Sequence, residues 1–418
     1  MHTKMWILLM AGVIVAAATP AGPTESTIYN FCSAANCADG GNPRSTLVGA
    51  RSGSLYGTTA SGGANSEGTV YQLQHSNGVW NEYVLHSFCS APNCSDGSGP
   101  RSGLTIDGTG NLFGTTFIGG STACYNGCGV VFELTPSNGG WTYTVIYSFL
   151  NGSDGSNPME NLTVDSSDNL YGATSSGGVN NNGTVFELSP SASTWNYNLI
   201  YSFGGFGGGS EPWGVTLDQF GNLYGTAQGG SSAFCSSLYY NNCGITFELT
   251  QSNGAWTESV LYSFCSIVNC TDGVYPGPRL VFDNVGNLYG TTAEGDKGGT
   301  VFELVPSNGT WQETVLYSFC SEAHCRDGAV PTGVTLNSKG ELYGATTYGG
   351  GNGHANGYGT VFGLADSNGT WIEKTFHFNG NDGSMPLGGV LLNQGNLYGT
   401  TSEISEGEAS GVAYEITP

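Results

Sequence analysis

Charge is what this chain has least of. Only 10% of its 418 residues are charged, and nine Lys and Arg stand against 32 Asp and Glu, for a formal net charge of -23. Such a balance repels phosphate backbones and anionic lipid headgroups, so neither nucleic acid nor membrane insertion is expected. Histidine is scarce as well, with six residues and none at metal-ligand spacing. Helical periodicity is missing throughout, which excludes a bundle. Beyond residue 21 no apolar run is long enough to span a bilayer. There is no phosphate-cradling loop, nucleophile elbow or zinc-protease signature. The shortage of charge does not signal disorder, because aromatic residues make up 12% of the chain and strand patterning is dense.

Glycine is abundant, at 69 residues, and so is order in its placement. Residues 1–21 read as a secretory signal: Lys4, an apolar run from Met5 to about Ala18, and small residues at Ala16, Ala18 and Ala21. The remainder, 22–418, reads as one domain, because a single motif runs through it. Variants of Asn-Leu-Tyr-Gly-Thr-Thr recur seven times, with their leucines (Leu55, Leu112, Leu170, Leu223, Leu288, Leu342, Leu397) about 57 residues apart. A period of this length marks a repeat architecture whose units bury their apolar faces against one another.

Each unit divides into four β-branched and aromatic runs bounded by Gly, Pro, Asn and Asp. In the second unit these are Gly103 to Asp107, Leu112 to Thr116, Val130 to Leu134 and Trp141 to Phe149. Seven such units describe an all-β, seven-bladed β-propeller with four antiparallel strands per blade. The blades fall near 45–88, 102–149, 160–203, 213–264, 279–319, 333–378 and 388–418. The last unit lacks a fourth run, and residues 27–31 match that run with no first three before it, so the N-terminal strand is expected to close the last blade and remove the open edges. The glycine after each tyrosine (Gly57 and its six equivalents) is expected where neighbouring backbones approach closely. The six tryptophans that open fourth strands (Trp80, Trp141, Trp195, Trp256, Trp311, Trp371) are expected to pack between blades.

The twelve cysteines form six close pairs: Cys32 with Cys37, Cys89 with Cys94, Cys124 with Cys128, Cys235 with Cys243, Cys265 with Cys270, and Cys320 with Cys325. An even count behind a secretory signal implies disulfides. Four of the pairs accompany a short insertion before an Asp-Gly turn, which they would pinch shut, each contributing about 2 kcal/mol. Zinc is the rival reading, but zinc ribbons use tighter spacings and bring two pairs together.

The linked motifs Asn-Leu-Tyr-Gly-Thr-Thr, Gly-Thr-Val-Phe-Glu-Leu (residues 299–304) and Leu-Tyr-Ser-Phe (residues 316–319) resemble the bacterial Gloeo/Verruco, or GloVer, tandem-repeat family across nearly all of residues 22–418. The resemblance implies an extracellular protein and carries no catalytic residues. Members join C-terminal anchoring signals, and no such signal follows the last strand here, so release is expected. The Asp283 to Tyr289 hairpin is similar to NHL-type and gluconolactonase-like propellers, which supports fold and not activity.

Function is sought where the chain departs from its repeat. The long loops share one face, the default binding surface. On it, Trp213 and Glu211 stand at an inner-strand entrance, Glu160 in the corresponding region of the blade before, and Arg44 and Arg101 in the first two. An aromatic platform with carboxylates suits a carbohydrate, and Glu160 with Glu211 is the minimum pair for glycosidase chemistry. The rival reading makes Trp213 a channel plug and the glutamates solvated. Tyr125, Tyr239, Tyr240 and His354 add loop-face character. A ring of Asp39, Asp96, Asp154, Asp272, Asp327 and Asp382 could hold calcium, although Asp-Gly is an ordinary turn signal and one carboxylate per loop is too few for a tight site. No other cofactor is expected. The reading is a secreted monomeric binding module for an extracellular glycan or envelope protein, with a propeller hydrolase or lyase as the alternative.

Overall fold

The computed structural model describes residues 24–417 except 193, 231, 233, 236–241, 352–356 and 405–409; the expected signal at 1–21 lies outside it. The chain forms a seven-bladed β-propeller in which each blade is an antiparallel sheet. In the first blade the inner strand is split into Gly41–Pro43 and Val48–Gly49, followed outward by Leu55–Ser61, Thr69–Ser76 and Val79–Ser87. The inner strand thus starts earlier than the runs typified by Gly103 to Asp107, because the residues after each Asp-Gly turn already pair with the second strand. The last blade runs Leu391–Asn393, Asn396–Thr401, Val412–Thr417 and then Thr24–Asn30. The N-terminal strand pairs from Thr24 opposite Thr417 to Asn30 opposite Val412, so the ring closes as expected.

Burial explains the sequence of each strand. Second strands lie between two blades and are buried along nearly their whole length, so they read as continuous Leu-Tyr-Gly-Thr-Thr. Fourth strands alternate exposed and half-buried positions, since only one of their faces meets protein. The fourth-strand tryptophans bridge blades as expected: Trp141 meets Tyr56 with centroids 5.7 Å apart, and Trp195 meets Phe113 at 5.8 Å.

The recurrent second-strand glycine has a different origin from the one expected. Each sits opposite an aromatic residue of its own blade's third strand, as Gly114 does opposite Phe132 and Gly57 opposite Tyr71. A Cβ on Gly114 would lie 2.5 Å from Phe132 Cζ and 2.9 Å from Leu104 Cδ2. The missing side chain therefore makes room for a ring within the blade, not for a neighbouring backbone.

Close approach between blades happens elsewhere. A glycine just before each third strand has a proline of the next blade laid against it: a Cβ on Gly129 would be 2.7 Å from Pro158 Cδ, and on Gly299 2.7 Å from Pro331 Cδ. Both glycines also have φ above +90°. The residue before each such proline is left-handed, including Asn157, Glu211, Val330 and Met385. Its N–H donates to a carbonyl of the preceding blade, from Asn157 to Cys128 at 2.8 Å and from Val330 to Gly298 at 2.7 Å. This latch recurs at all seven junctions, ending with Pro43 against Gly411.

Five of the six expected disulfides form in loops: Cys32–Cys37, Cys89–Cys94, Cys265–Cys270 and Cys320–Cys325 in the Asp-Gly loops, and Cys124–Cys128 between a second and a third strand. The sixth, Cys235–Cys243, forms as well, so no cysteine is free.

A second periodic position is less quiet. Two residues after the fourth-strand tryptophan, Tyr143 and Tyr197 donate their hydroxyls to the Asp96 and Asp154 carbonyls, the latter at 2.9 Å. The equivalents Glu82, Glu313 and Glu373 each keep a buried Oε1 with no hydrogen-bond partner among the described residues. Burial and then the carboxylate of the adjacent Asp-Gly loop push Glu82 up to about 7 (Asp39), Glu313 to about 8 (Asp272) and Glu373 to about 7 (Asp327). Protonation makes each carboxyl a donor of the kind the tyrosines supply.

Because these folded-state values exceed the unfolded ones, their contribution is complete below the ordinary glutamate range and is lost as pH rises toward 8. The thermal midpoint is expected to be higher at pH 5 than at pH 8.5, and a Glu82→Gln, Glu313→Gln, Glu373→Gln triple variant should flatten that slope; calorimetry across pH decides. Gly299→Ala, which meets both a left-handed φ and the Pro331 ring, should cost about 2 kcal/mol or more in urea unfolding.

Candidate functional site

The start of each inner strand, the Asp-Gly loops and the loops joining second to third strands lie on one face, tied together by bridges such as Ser98 with Ile118. At the centre of that face the residues just after the latch prolines converge on the channel. There the structure places Arg44 and Arg101 with Glu160, and adds Arg279, which the sequence reading had not singled out. They border a narrow cavity of about 50 Å³ whose other walls are largely backbone and small residues, including Gly103, Gly333 and Gly388. A smaller space of about 30 Å³ continues between Glu160, Gly214 and Arg279.

Inner strands are cross-linked around this opening by short polar contacts. The Gly103 N–H donates to Asn161 Oδ1 at 2.6 Å, and the Gly389 N–H to Thr46 Oγ1 at 2.9 Å. Thr58 donates to the Ser102 carbonyl at 2.6 Å and Thr400 to the Ser45 carbonyl at 3.1 Å. The opening is therefore framed by backbone held from side chains behind it.

Arg101 lies 3.9 Å over the Phe117 ring, and burial together with the charge of Arg44 lowers its pKa. Arg44 donates through Nε to Asn42 Oδ1. Glu160 reaches toward the next blade, since a Cβ on Gly214 would be 2.9 Å from its Cγ. Burial raises its pKa, while the Arg279 charge and a backbone N–H pull the other way.

Glu211 and Trp213 stand apart from this cavity, whose lining passes through Gly214. Glu211 is exposed, in the left-handed position before the latch proline, with its N–H on the Asn182 carbonyl at 2.9 Å. Trp213 is half-buried in the bulge between Pro212 and Val215, and its indole N–H is buried without an acceptor among the described residues. The two glutamates are thus not brought to a common cavity. Tyr125 is fully exposed on its loop. Tyr239, Tyr240 and His354 lie outside the described residues.

The loop aspartates face inward on their own turns. Asp272, wholly buried, accepts from Tyr262 Oη at 2.8 Å, the Ser266 N–H at 2.7 Å and Ser266 Oγ at 2.9 Å. Asp39 and Asp327 repeat the pattern with Tyr29 and Tyr317, and Asp154 with Tyr147. Asp382 accepts from Asn379. At Asp96 the tyrosine is replaced by His86, 3.2 Å away and stacked on Tyr143. Burial raises the Asp96 carboxyl, but the hydrogen bonds of Ser90 and Ala91 outweigh it and hold the pKa below the ordinary value. Among the described residues no three His, Cys, Asp or Glu are grouped to hold a metal.

The sequence reading missed Arg279, which arrives three residues after Pro276 instead of directly after its latch proline, as Arg44 and Arg101 do. It also missed the fourth-strand glutamates, whose only signal is the exchange with Tyr143 and Tyr197.

If the loop aspartates are turn caps, Asp272→Ala should lower stability by about 2–4 kcal/mol, by the same amount with calcium and with a chelator. Denaturant titration in both buffers makes the comparison, and a loss seen only with calcium would assign them to an ion.

The fold resembles solved propellers at low identity. One is a candidate 6-phosphogluconolactonase from Bacteroides uniformis, at 14% identity and TM-score 0.52 over 83% of this chain and 89% of that one. Another is the extracellular domain of a candidate one-component system from B. thetaiotaomicron, at 11% identity and TM-score 0.50 over 93% of this chain and 39% of that one. At these identities the likeness establishes fold alone. No curated protein matches the chain in sequence. The repeat itself matches over residues 10–124, 119–319 and 234–418, and on that coverage the chain belongs to the Gloeobacter/Verrucomicrobia repeat family.

Proposed function

We infer that this protein is a secreted, disulfide-stabilised binding module that engages an extracellular glycan or envelope component through the face bearing the channel mouth. One observation carries the reading: the position after each latch proline is periodic in the fold but not in its chemistry. The position after each latch proline reads Arg44, Arg101, Met159, Trp213, Gly277, Thr332 and Leu387. A scaffold that needed only to close a ring would have no use for six different residue types at seven equivalent positions on one face.

Six disulfides suit an oxidising compartment. Among the described residues no helix is long and apolar enough to cross a membrane. Trp213 suits a sugar ring, since a half-buried indole offers a stacking face. A hydrolase reading has less support, because Glu160 lacks the second carboxylate in its cavity that acid and base roles require.

A glycan array probed with the mature chain and with Trp213→Ala tests the reading. Binding to a defined glycan class by the wild type, reduced about tenfold or more in the variant, is the expected result. Equal binding by both proteins would remove Trp213 from the site, and silence across the array would remove the glycan.

A further inference from the structure

The chain spends its scarce cations in one place. Three of its nine basic residues, Arg44, Arg101 and Arg279, come from blades one, two and five and border the same opening. Among the described residues the sole ion pair is that of His86 with Asp96, so none of the three guanidiniums has a carboxylate within 4.0 Å. Each is exposed in the channel mouth. In a protein with 32 acidic residues, three arginines that converge without an ion pair among the described residues are not explained by the fold, whose latches and threonine cross-links use none of them.

We propose that the channel mouth is an oxyanion site, in which Arg44, Arg101 and Arg279 bind a carboxylate, sulfate or phosphate group of the ligand. The proposal rests on the reading of this face as the binding face and assigns it a ligand chemistry. Guanidinium forks match such groups with paired hydrogen bonds. The opening is narrow, so the rest of a larger ligand would lie above it. Two of the three forks are held in part, Arg44 by Asn42 and Arg101 by the Phe117 ring.

The net charge of -23 does not defeat the site. At physiological ionic strength charges more than about 8 Å away are largely screened, so an anion in the opening meets mainly the three cations and Glu160. Glu160 then acts as the local opponent of binding, and its neutralisation should strengthen the site.

Titration calorimetry of the intact mature chain at low ionic strength, with sodium sulfate, galacturonate, polygalacturonate and neutral dextran as probes, tests this. At least one anionic probe should bind, weaken as salt is added, and lose about tenfold or more in affinity on Arg44→Gln, Arg101→Gln or Arg279→Gln. Arg51→Gln, in a turn on the opposite face, should leave affinity unchanged, and Glu160→Gln should raise it. Tighter binding of polygalacturonate than of galacturonate would place the anion on a glycan chain; equal binding would make it a free small anion. Thermal midpoints of the variants establish that each is folded, and Arg279→Lys should retain part of the binding through its charge. No heat with any of the three anions, or losses as large for Arg51→Gln as for Arg279→Gln, would overturn the site. Dextran separates the two readings: Trp213-dependent binding of dextran without anion binding would leave the glycan module standing and refute the oxyanion site.

Discussion

Everything in this propeller depends on a proline of one blade lying where the preceding blade has no side chain. At each junction a left-handed residue directs its N–H to a carbonyl of the preceding blade, and the proline that follows packs on a glycine with positive φ. Glycine is needed twice over, for the backbone conformation and for the missing Cβ, and proline supplies a rigid, donor-free surface to fill the gap. Seven copies set blade spacing through backbone and proline-ring contacts. The latch itself uses no side chain beyond its proline, and at that position the blades differ from one another.

A protein with few cations must also solve the problem of its buried acids without ion pairs. The solution differs by position. The Asp-Gly carboxylates are surrounded by amide and hydroxyl donors from their own loops, as at Asp272 with Tyr262 and Ser266. The fourth-strand glutamates sit beside those same aspartates with a buried oxygen unpaired, and a proton takes the place of a counter-ion. Glu258 completes the logic: its loop has lost the aspartate, and its Oε2 accepts from Tyr201 at 2.9 Å. Its Oε1 stays buried and unpaired among the described residues, and burial raises its pKa as it does for the other three.

Most of the fold could be read from the chain because the period is long, regular and tied to strand chemistry. The leucine spacing gave the blade count, and residues 27–31 gave the closure. The local cause of the second-strand glycine could not be read, because its partner (Phe132 for Gly114) lies across a strand pair whose register the repeat alone leaves unspecified. The site was legible in part. Arg44, Arg101 and Glu160 stood out as departures from the repeat and do meet in one cavity. Trp213 and Glu211 stood out equally, yet a bulge and a left-handed backbone carry them away from it. Arg279 was hidden by two extra residues, Gly277 and Pro278, that shift its register relative to the other blades.

Closure by residues 24–30 gives this molecule an unusual relation between time and structure. Its outermost strand in the last blade is made before the other strands of the ring and can be paired only when Val412–Thr417 exist to receive it. The Thr400 to Ser45 and Thr46 to Gly389 contacts across the same seam likewise join parts of the chain separated by more than 340 positions. Six blades can stack as the chain emerges, but the ring has a loose end until Val412–Thr417 have been made. An unfinished or truncated chain would therefore present two unpaired sheet edges at once, and these mark it as unfinished to anything that recognises exposed strands.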